Sequence, residues 1–182
     1  MNSAADSTVL PPASLDGVRA LVTGSSRGIG ADTAGYLAAA GAKVVINFRA
    51  KAPRADKVVA SIGNAGGEAL AIGADLTSPE SIATMMGTIE EAWGGLDLLV
   101  LNASGGMESG MGEDYALRLN RDAQVNVLES ALPLMKAGGR VVFVTSHQAH
   151  FINTVSTMPE YEPVARSKRA GEDALRERLP ML

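Results

Sequence analysis

The chain contains no cysteine. Disulfide bonds, thiolate nucleophiles and cysteine-based metal sites are therefore excluded. Histidine is nearly as scarce: His147 and His150 are the two present. With no third ligand or carboxylate partner evident beside them they make a weak metal site, and no metal is expected. Aromatic residues account for 4% of the sequence, so the core has to be built from Ala, Val, Leu, Ile and Met. No apolar run approaches the roughly 18–20 residues of a membrane span, and no membrane partner is expected. The formal net charge of −4 supplies no basic face for nucleic acid, which excludes that class of partner. Met1 to Pro12 lacks the charged-then-apolar pattern of a signal peptide. Residues 1–14 read as a flexible tail, and a cytoplasmic location is the expectation. The remainder, with 46% hydrophobic and 20% charged residues in a chain of 182, suits a single globular domain over residues 15–182.

What is present is organised around one stretch, Arg19-Ala-Leu-Val-Thr-Gly-Ser-Ser-Arg-Gly-Ile-Gly30. Val18 to Val22 reads as a buried strand. It breaks at Thr23, Gly24, Ser25, Ser26 and Arg27, and Gly28, Ile29 and Gly30 open an Ala-rich helix to Ala40. Strand, glycine turn and helix together present free backbone N–H groups and a positive helix end to a phosphate. The glycines permit the turn, let a pyrophosphate approach the backbone and let the helix pack close to the strand.

Short apolar runs and helical patterns then alternate. Strands are predicted at Lys43–Asn47, Glu68–Ile72, Leu96–Leu101 and Arg140–Thr145, with helices over Pro53–Ser61, Pro79–Trp93, Tyr115–Met135 and Val164–Arg178. Ser78 followed by Pro79 is a helix start, the serine as cap and the proline at the first position. Gly138-Gly139 is expected to end the long helix. Leu96–Leu101 is too apolar for a half-exposed strand and is expected to be buried on both faces. The pattern is α/β. Right-handed crossovers give a doubly wound parallel sheet of the Rossmann type, expected order 3-2-1-4-5, with ligands at the carboxyl edge of the strands.

The loop Thr23-Gly-Ser-Ser-Arg-Gly-Ile-Gly30 resembles the cofactor loop of the short-chain dehydrogenase/reductase family, and in particular that of 3-oxoacyl-acyl-carrier-protein reductases. The resemblance runs from about Gly17 to about Leu179. It implies that Gly24, Ser25, Ser26, Arg27, Gly28, Ile29 and Gly30 cradle a dinucleotide, flanked by Asn47-Phe48-Arg49 after the second strand. No acid lies between Val44 and Arg54 to hold a ribose 2′-hydroxyl, while Arg27, Arg49 and Lys51 are close in such a fold. Cations there suit a 2′-phosphate, so NADP(H) is favoured over NAD(H); solvated surface charges are the alternative reading. By the same resemblance Asp75-Leu76 borders the adenine, although a loop aspartate also caps its own turn. Asn102-Ala103-Ser104 would border the nicotinamide ribose. The family's chains run further than this one, so the carboxyl-terminal strands are expected to be missing, and with them much of the substrate lid.

The catalytic residues implied are Asn120, Ser146, Tyr161 and Lys168. Asn120 would support a proton relay, with Asn126 as competing candidate; Ser146 would hold the substrate carbonyl. His147 and His150 would line the cleft mouth or face solvent. Ser167-Lys168-Arg169-Ala170 matches the register of the family's lysine, which also holds the nicotinamide ribose. The family places a tyrosine four residues earlier, one helical turn away. Here that position is Val164, and Tyr161 lies seven residues before Lys168. On a continuous helix it would sit roughly 10 Å further along the axis. Pro163 puts it in the preceding loop, from which it either folds back beside Val164 or packs on the surface. The implied activity is NADP-dependent hydride transfer between a carbonyl and an alcohol. The alternative is a catalytically impaired NADP-binding module acting as sensor or scaffold. Met107–Asp114 and His147–Glu160 are the expected cleft walls, and a homodimer or homotetramer through the long and final helices is implied by resemblance.

Overall fold

In the computed structural model, residues 10–107 and 114–181 are described. Five parallel strands form one sheet in the order β3-β2-β1-β4-β5. They are β1 (Arg19–Val22), β2 (Lys43–Phe48), β3 (Glu68–Gly73), β4 (Leu96–Leu101) and β5 (Met135–Phe143). Parallel neighbours need a crossover, and each crossover here carries a helix: α1 (Gly28–Ala39), α2 (Ala52–Asn64) and α3 (Pro79–Trp93), then a composite segment between β4 and β5. This is the expected doubly wound sheet and order. Part of the tail expected over residues 1–14 and most of the cleft wall expected over Met107–Asp114 fall outside the described residues.

The central strands β1, β2 and β4 are apolar on both faces because both faces are covered, whereas β5 is largely exposed. Side chains alternate, so Ala20, Val22, Val44 and Ile46 pack toward Ala34, Leu37, Ala38, Ala55 and Ile62 of α1 and α2. Leu21, Val45 and Leu99 point the other way, onto Ile82, Met85 and Ile89 of α3 and onto Val127 and Leu128. Leu15 and Leu10 pack against the first of these clusters. The α3 boundaries follow the local signals: the Ser78 hydroxyl accepts from the Ser81 N–H at 3.2 Å, and Gly94 at φ +69° ends the helix.

Two expectations about the fourth crossover are corrected. The helix expected to run unbroken from Tyr115 to Met135 is a composite. It consists of α4 (Tyr115–Leu117), a π turn at Arg118–Asp122, α5 (Ala123–Ala131) and a 3-10 turn at Leu132–Leu134. Pro133 has no N–H to continue the α-helical ladder, so the helix stops there and Met135 already begins β5. Gly138-Gly139 therefore does not end a helix. Leu96 pairs with Met135 while Leu98 pairs with Arg140, so the extra residues form a bulge within β5. At the other end, β5 stops at Phe143 rather than Thr145, and His147–Phe151 forms a short helix, α6, that periodicity did not reveal. The last long helix, α7 (Glu162–Arg176), starts and stops two residues earlier than expected.

The amino ends of β1 and β4 are tied by Arg19 and Asp97. The guanidinium donates from Nε to Asp97 Oδ2 at 2.6 Å and from Nη2 to Oδ1 at 2.8 Å, and the Arg19 N–H also donates to Oδ2. A third guanidinium nitrogen reaches the Trp93 carbonyl at the end of α3. These bonds from Arg19 outweigh the cost of partial burial and hold the Asp97 carboxyl below its ordinary pKa. Asp97→Asn is expected to lower the unfolding free energy at pH 7 by about 2 kcal/mol in urea denaturation. Because the folded pKa is depressed, the wild-type advantage is complete above the unfolded aspartate value. It is expected to fade as pH falls through the lower folded one.

Candidate active site

The carboxyl ends of β1, β2 and β4 stop at one place, and four polar side chains close the backbone groups exposed there. The buried Thr23 hydroxyl donates to Val100 O and accepts from the N–H groups of Asn102 and Ala103 at 2.9 and 3.0 Å. Asn102 returns the contact, its Nδ2 donating to Thr23 O at 2.9 Å. Asn47, 1% exposed, accepts from Gly24 N–H through Oδ1 and donates to Ala74 O through Nδ2. Ser25 is fully buried, donates to Val22 O at 2.6 Å and accepts from Asn47 N–H. Three loops are thereby locked as one body. Within it α1 approaches so closely that a Cβ on Gly30 would lie 2.5 Å from Asn102 Nδ2 and 2.8 Å from Gly24 O.

This body floors a cleft of about 660 Å³ along the carboxyl edge of the sheet. Gly24, Ser26, Arg27, Gly28, Ile29 and Gly30 line one end, and Asn47, Phe48, Arg49 and Leu76 lie beside them. Asn102, Ala103 and Ser104 line the middle; Ser146, Tyr161 and Lys168 line the other end. Among the expected cofactor contacts, Ser25 and Asp75 are not part of the lining: Ser25 faces inward, and Asp75 is turned to its own loop. Asp75 Oδ1 accepts from Thr77 N–H at 2.9 Å and from the Thr77 hydroxyl at 2.7 Å. Burial works against the Asp75 charge, but these bonds and the nearby Arg49 and Arg118 prevail and keep its pKa below the ordinary value. The arginine expected near a nucleotide ribose, Arg49, donates to the Tyr115 hydroxyl and sits 5.6 Å from that ring's centroid.

Asn120 occupies the π turn and is 1% exposed. Its Oδ1 accepts from Gly105 N–H, and its Nδ2 donates to Gly105 O at 2.8 Å and to Ser167 Oγ at 2.9 Å. It thus joins the β4 loop to α7. A π turn often marks a functional segment, since the extra residue frees a backbone carbonyl and re-aims a side chain. Packing against α7 is tight at this point, where a Cβ on Gly171 would lie 2.2 Å from Asn120 O. Gln124, buried one turn on, donates to Ala103 O and Leu119 O and so holds the same loop; nothing in its sequence context singled it out.

At the far end Ser146 caps α6, its Oγ accepting from Ala149 N–H at 3.1 Å. Tyr161 precedes the first turn of α7 with Pro163 inside that turn, and its hydroxyl donates to Ser146 Oγ at 3.3 Å. Tyr161 thus lines the far end of the cleft, half-buried against Ala149, Ile152 and Ala165 rather than lying on the open surface. Val164 is buried. Lys168, 7% exposed, donates from Nζ to Val144 O at 3.3 Å. Burial lowers its pKa, and the carboxylate of Glu172 opposes that shift. His150, read as lining the mouth or facing solvent, has a carboxylate partner after all: its Nδ1 lies 3.0 Å from Glu172 Oε2. The available signal was the position of Glu172 one turn after Lys168; the long-range pairing has none.

A parallel doubly wound sheet with a glycine loop and an open cleft at its carboxyl edge defines a Rossmann-type α/β protein. The sequence profile described as short chain dehydrogenase matches residues 19–170, and the chain belongs to that family. Versicolorin reductase 1 of Aspergillus parasiticus is 36% identical over 162 residues, which cover 86% of this chain and 60% of that protein. The chain thus spans about 60% of the length of such curated relatives. A short chain dehydrogenase from Burkholderia cenocepacia, solved in complex with NADP, superposes with a TM-score of 0.78 at 37% identity. That match covers 91% of this chain and 70% of the other. The reductase LugOII, described as catalysing keto-reduction at C1 in lugdunomycin biosynthesis, gives 0.79 at 29% identity, with coverage of 91% and 73%.

Gly30→Ala is expected to break the interlock of the three loops. Its methyl has backbone of Gly24 and Ser25 within 2.9 Å and cannot be accommodated by a side-chain rotation. A loss of about 2–4 kcal/mol in chemical denaturation is expected, alongside loss of nucleotide binding by calorimetry.

Proposed function

We propose that the protein is an NADP(H)-dependent oxidoreductase that reduces a carbonyl, or oxidises the corresponding alcohol, of a small molecule. The observation that carries this reading is the convergence of Ser146, Tyr161 and Lys168 at the end of the cleft opposite the glycine loop. The cleft fits a dinucleotide on its own terms. Arg27 precedes α1 without any side-chain cap, so the first N–H groups of a twelve-residue helix face the cleft with no internal partner. Ser26, Arg27, Gly28, Ile29 and Gly30 would hold the pyrophosphate. Arg27 and Arg49 would pair with a 2′-phosphate, with Phe48 and Leu76 beside the adenine. Asn102, Ala103, Ser104 and Lys168 would border the nicotinamide riboside. That the similar Burkholderia protein was solved with NADP supports a nucleotide cofactor for this chain.

Held by the glycine loop and by Asn102, Ala103, Ser104 and Lys168, NADPH would supply the hydride that the carbonyl carbon accepts. Ser146 Oγ hydrogen-bonds the carbonyl oxygen and orients it, and Tyr161, already within reach of Ser146, delivers the proton to that oxygen. Lys168 stabilises the tyrosinate that results. Asn120, through Ser167 and Gly105, holds α7 and the β4 loop in register and supports proton supply. Val164 in the place of the family's tyrosine favours one competing reading, a chain that binds NADP but no longer turns it over. By family resemblance a homodimer or homotetramer of cytoplasmic location accompanies the enzyme reading; among the described residues no helix is long and apolar enough to cross a membrane.

Tyr161→Phe is expected to retain NADPH binding and to lose at least about two orders of magnitude in kcat in a carbonyl-reduction screen. Binding with no turnover in the wild type as well would favour the sensor reading. The double substitution of Arg27 and Arg49 by Ala is expected to weaken NADPH binding about tenfold or more, leaving NADH within about twofold. The alkaline limb of kcat/KM is expected below the ordinary lysine value. Lys168 is charged only below its depressed pKa, and activity is lost as pH rises through it.

A further inference from the structure

Glu172 is 6% exposed, and every bond it makes is to a different part of the site's far end. Oε1 accepts from the Thr145 hydroxyl at 2.6 Å, the residue immediately before Ser146. Oε2 lies 3.0 Å from His150 Nδ1, on the helix that Ser146 caps. Glu172 itself stands one turn after Lys168 on α7, and Lys168 Nζ reaches Val144 O on the same strand end. The segment Val144–Ser146 is thus held against α7 by two side chains, one at each residue flanking the turn into α6. Arg169 Nη1 bonds His150 O at 3.0 Å and closes the other end of α6. Arg169 and Arg176 approach Glu172 Oε2 at 3.7 and 3.9 Å. On the remaining elements packed against α7, Arg121 of the π turn pairs with Asp122, and Glu129 of α5 pairs with Arg178.

A buried carboxylate is costly unless it is bonded and faced by positive charge. Glu172 meets both conditions, yet nothing in the proposed chemistry uses it directly. We propose that Glu172 is a positioning residue: its carboxylate clamps the segment that carries Ser146 onto the helix that carries Lys168, and it is the buried negative charge facing Lys168. The clamp has particular value in this chain. Tyr161 is not on the Lys168 turn of α7 but ahead of the helix, packed on Ala149, Ile152 and Ala165 and bonded through its hydroxyl to Ser146, so its aim depends on how α6 and the Ser146 turn sit against α7. The kinetic part of the inference rests on the oxidoreductase reading; the placement and charge of Lys168 do not.

The test uses the full chain as wild type, Glu172→Gln and Thr145→Val. The Lys168 titration is followed through its side-chain carbon shifts in lysine-labelled protein, assigned with Lys168→Arg, and carbonyl reduction by NADPH is measured in parallel. Glu172→Gln removes the charge and keeps the volume. It is expected to lower the Lys168 midpoint by about one pH unit, moving the alkaline limb of kcat/KM down with it, and to reduce kcat about tenfold. Thr145→Val removes one clamp bond and leaves the charge, so kcat is expected to fall about fivefold with the Lys168 midpoint unmoved. An unchanged Lys168 midpoint in Glu172→Gln overturns the inference, whatever the activity. Wild-type protein that reduces no carbonyl defeats the oxidoreductase reading instead, and the midpoint still decides the charge role of Glu172. Should Glu172→Gln fail to fold, Glu172→Asp takes its place: it keeps the charge but draws the carboxylate away from Thr145. It is expected to match Thr145→Val in kcat, and wild-type kcat in both overturns the clamp.

Discussion

The cleft depends on the bonds made where three parallel strands run out. A strand end in a doubly wound sheet leaves N–H and C=O groups pointing into a crevice, and buried groups of this kind are costly when unpaired. Thr23, Asn47 and Asn102 pair them across loops that are far apart in sequence. With these side chains paired within the scaffold, the glycine loop is left to line that end of the cleft with Gly24, Ser26, Arg27, Gly28, Ile29 and Gly30. The proposed phosphate site would rest on that division of labour: the inner polar residues make the cradle, and the uncapped start of α1 would supply the attraction. Ser25 shows the distinction well, since it belongs to the glycine-loop motif yet serves only the inside of the turn.

The second half of the molecule solves a different problem. Its functional side chains sit beyond the end of β5 and at α6 and α7, and these elements give the two main cores no fully buried side chain: Met135, Val141, Phe143 and Leu175 on one face and Val144 on the other pack there only partly buried. Order there comes from polar bridges instead. Asn120 ties the β4 loop to α7, Lys168 and Glu172 tie α7 to the strand end, and Ser146 starts the helix that His150 and Arg169 fasten down. Substitutions in this half are expected to act on geometry before they act on stability, the reverse of the Arg19–Asp97 pair.

Tyr161 joins the two themes. A tyrosine on the Lys168 turn would need only the helix to place it, since residues four apart share a face. With Val164 there, the approach of a hydroxyl to Ser146 is made by the turn ahead of α7 and by Pro163, which fixes the start of that helix. The contact, at 3.3 Å, depends on more of the chain than one helical turn. The same replacement is what keeps the binding-only alternative in view.

Local pattern alone determined the architecture. The alternation of short apolar runs with helical stretches, the Ser78-Pro79 start and the glycine loop specify parallel strands covered on both faces, because a strand that is apolar on both sides can be buried no other way. Family resemblance, not local pattern, pointed to Asn120, Ser146 and Lys168; the structure brings Ser146 and Lys168 to one end of the cleft and uses Asn120 to join the β4 loop to α7. Tertiary structure decided what spacing cannot carry. The π turn sits where Asn120 meets Gly105 and Ser167, and the β5 bulge follows from its register with Leu96 and Leu98; the end of α5 at Pro133, by contrast, has a local cause. The inward turn of Tyr161 and the pairing of His150 with Glu172 depend on contacts across 15 and 22 residues. Periodicity reports which face of an element is buried; it holds no information on which polar side chain from a distant element will meet it there.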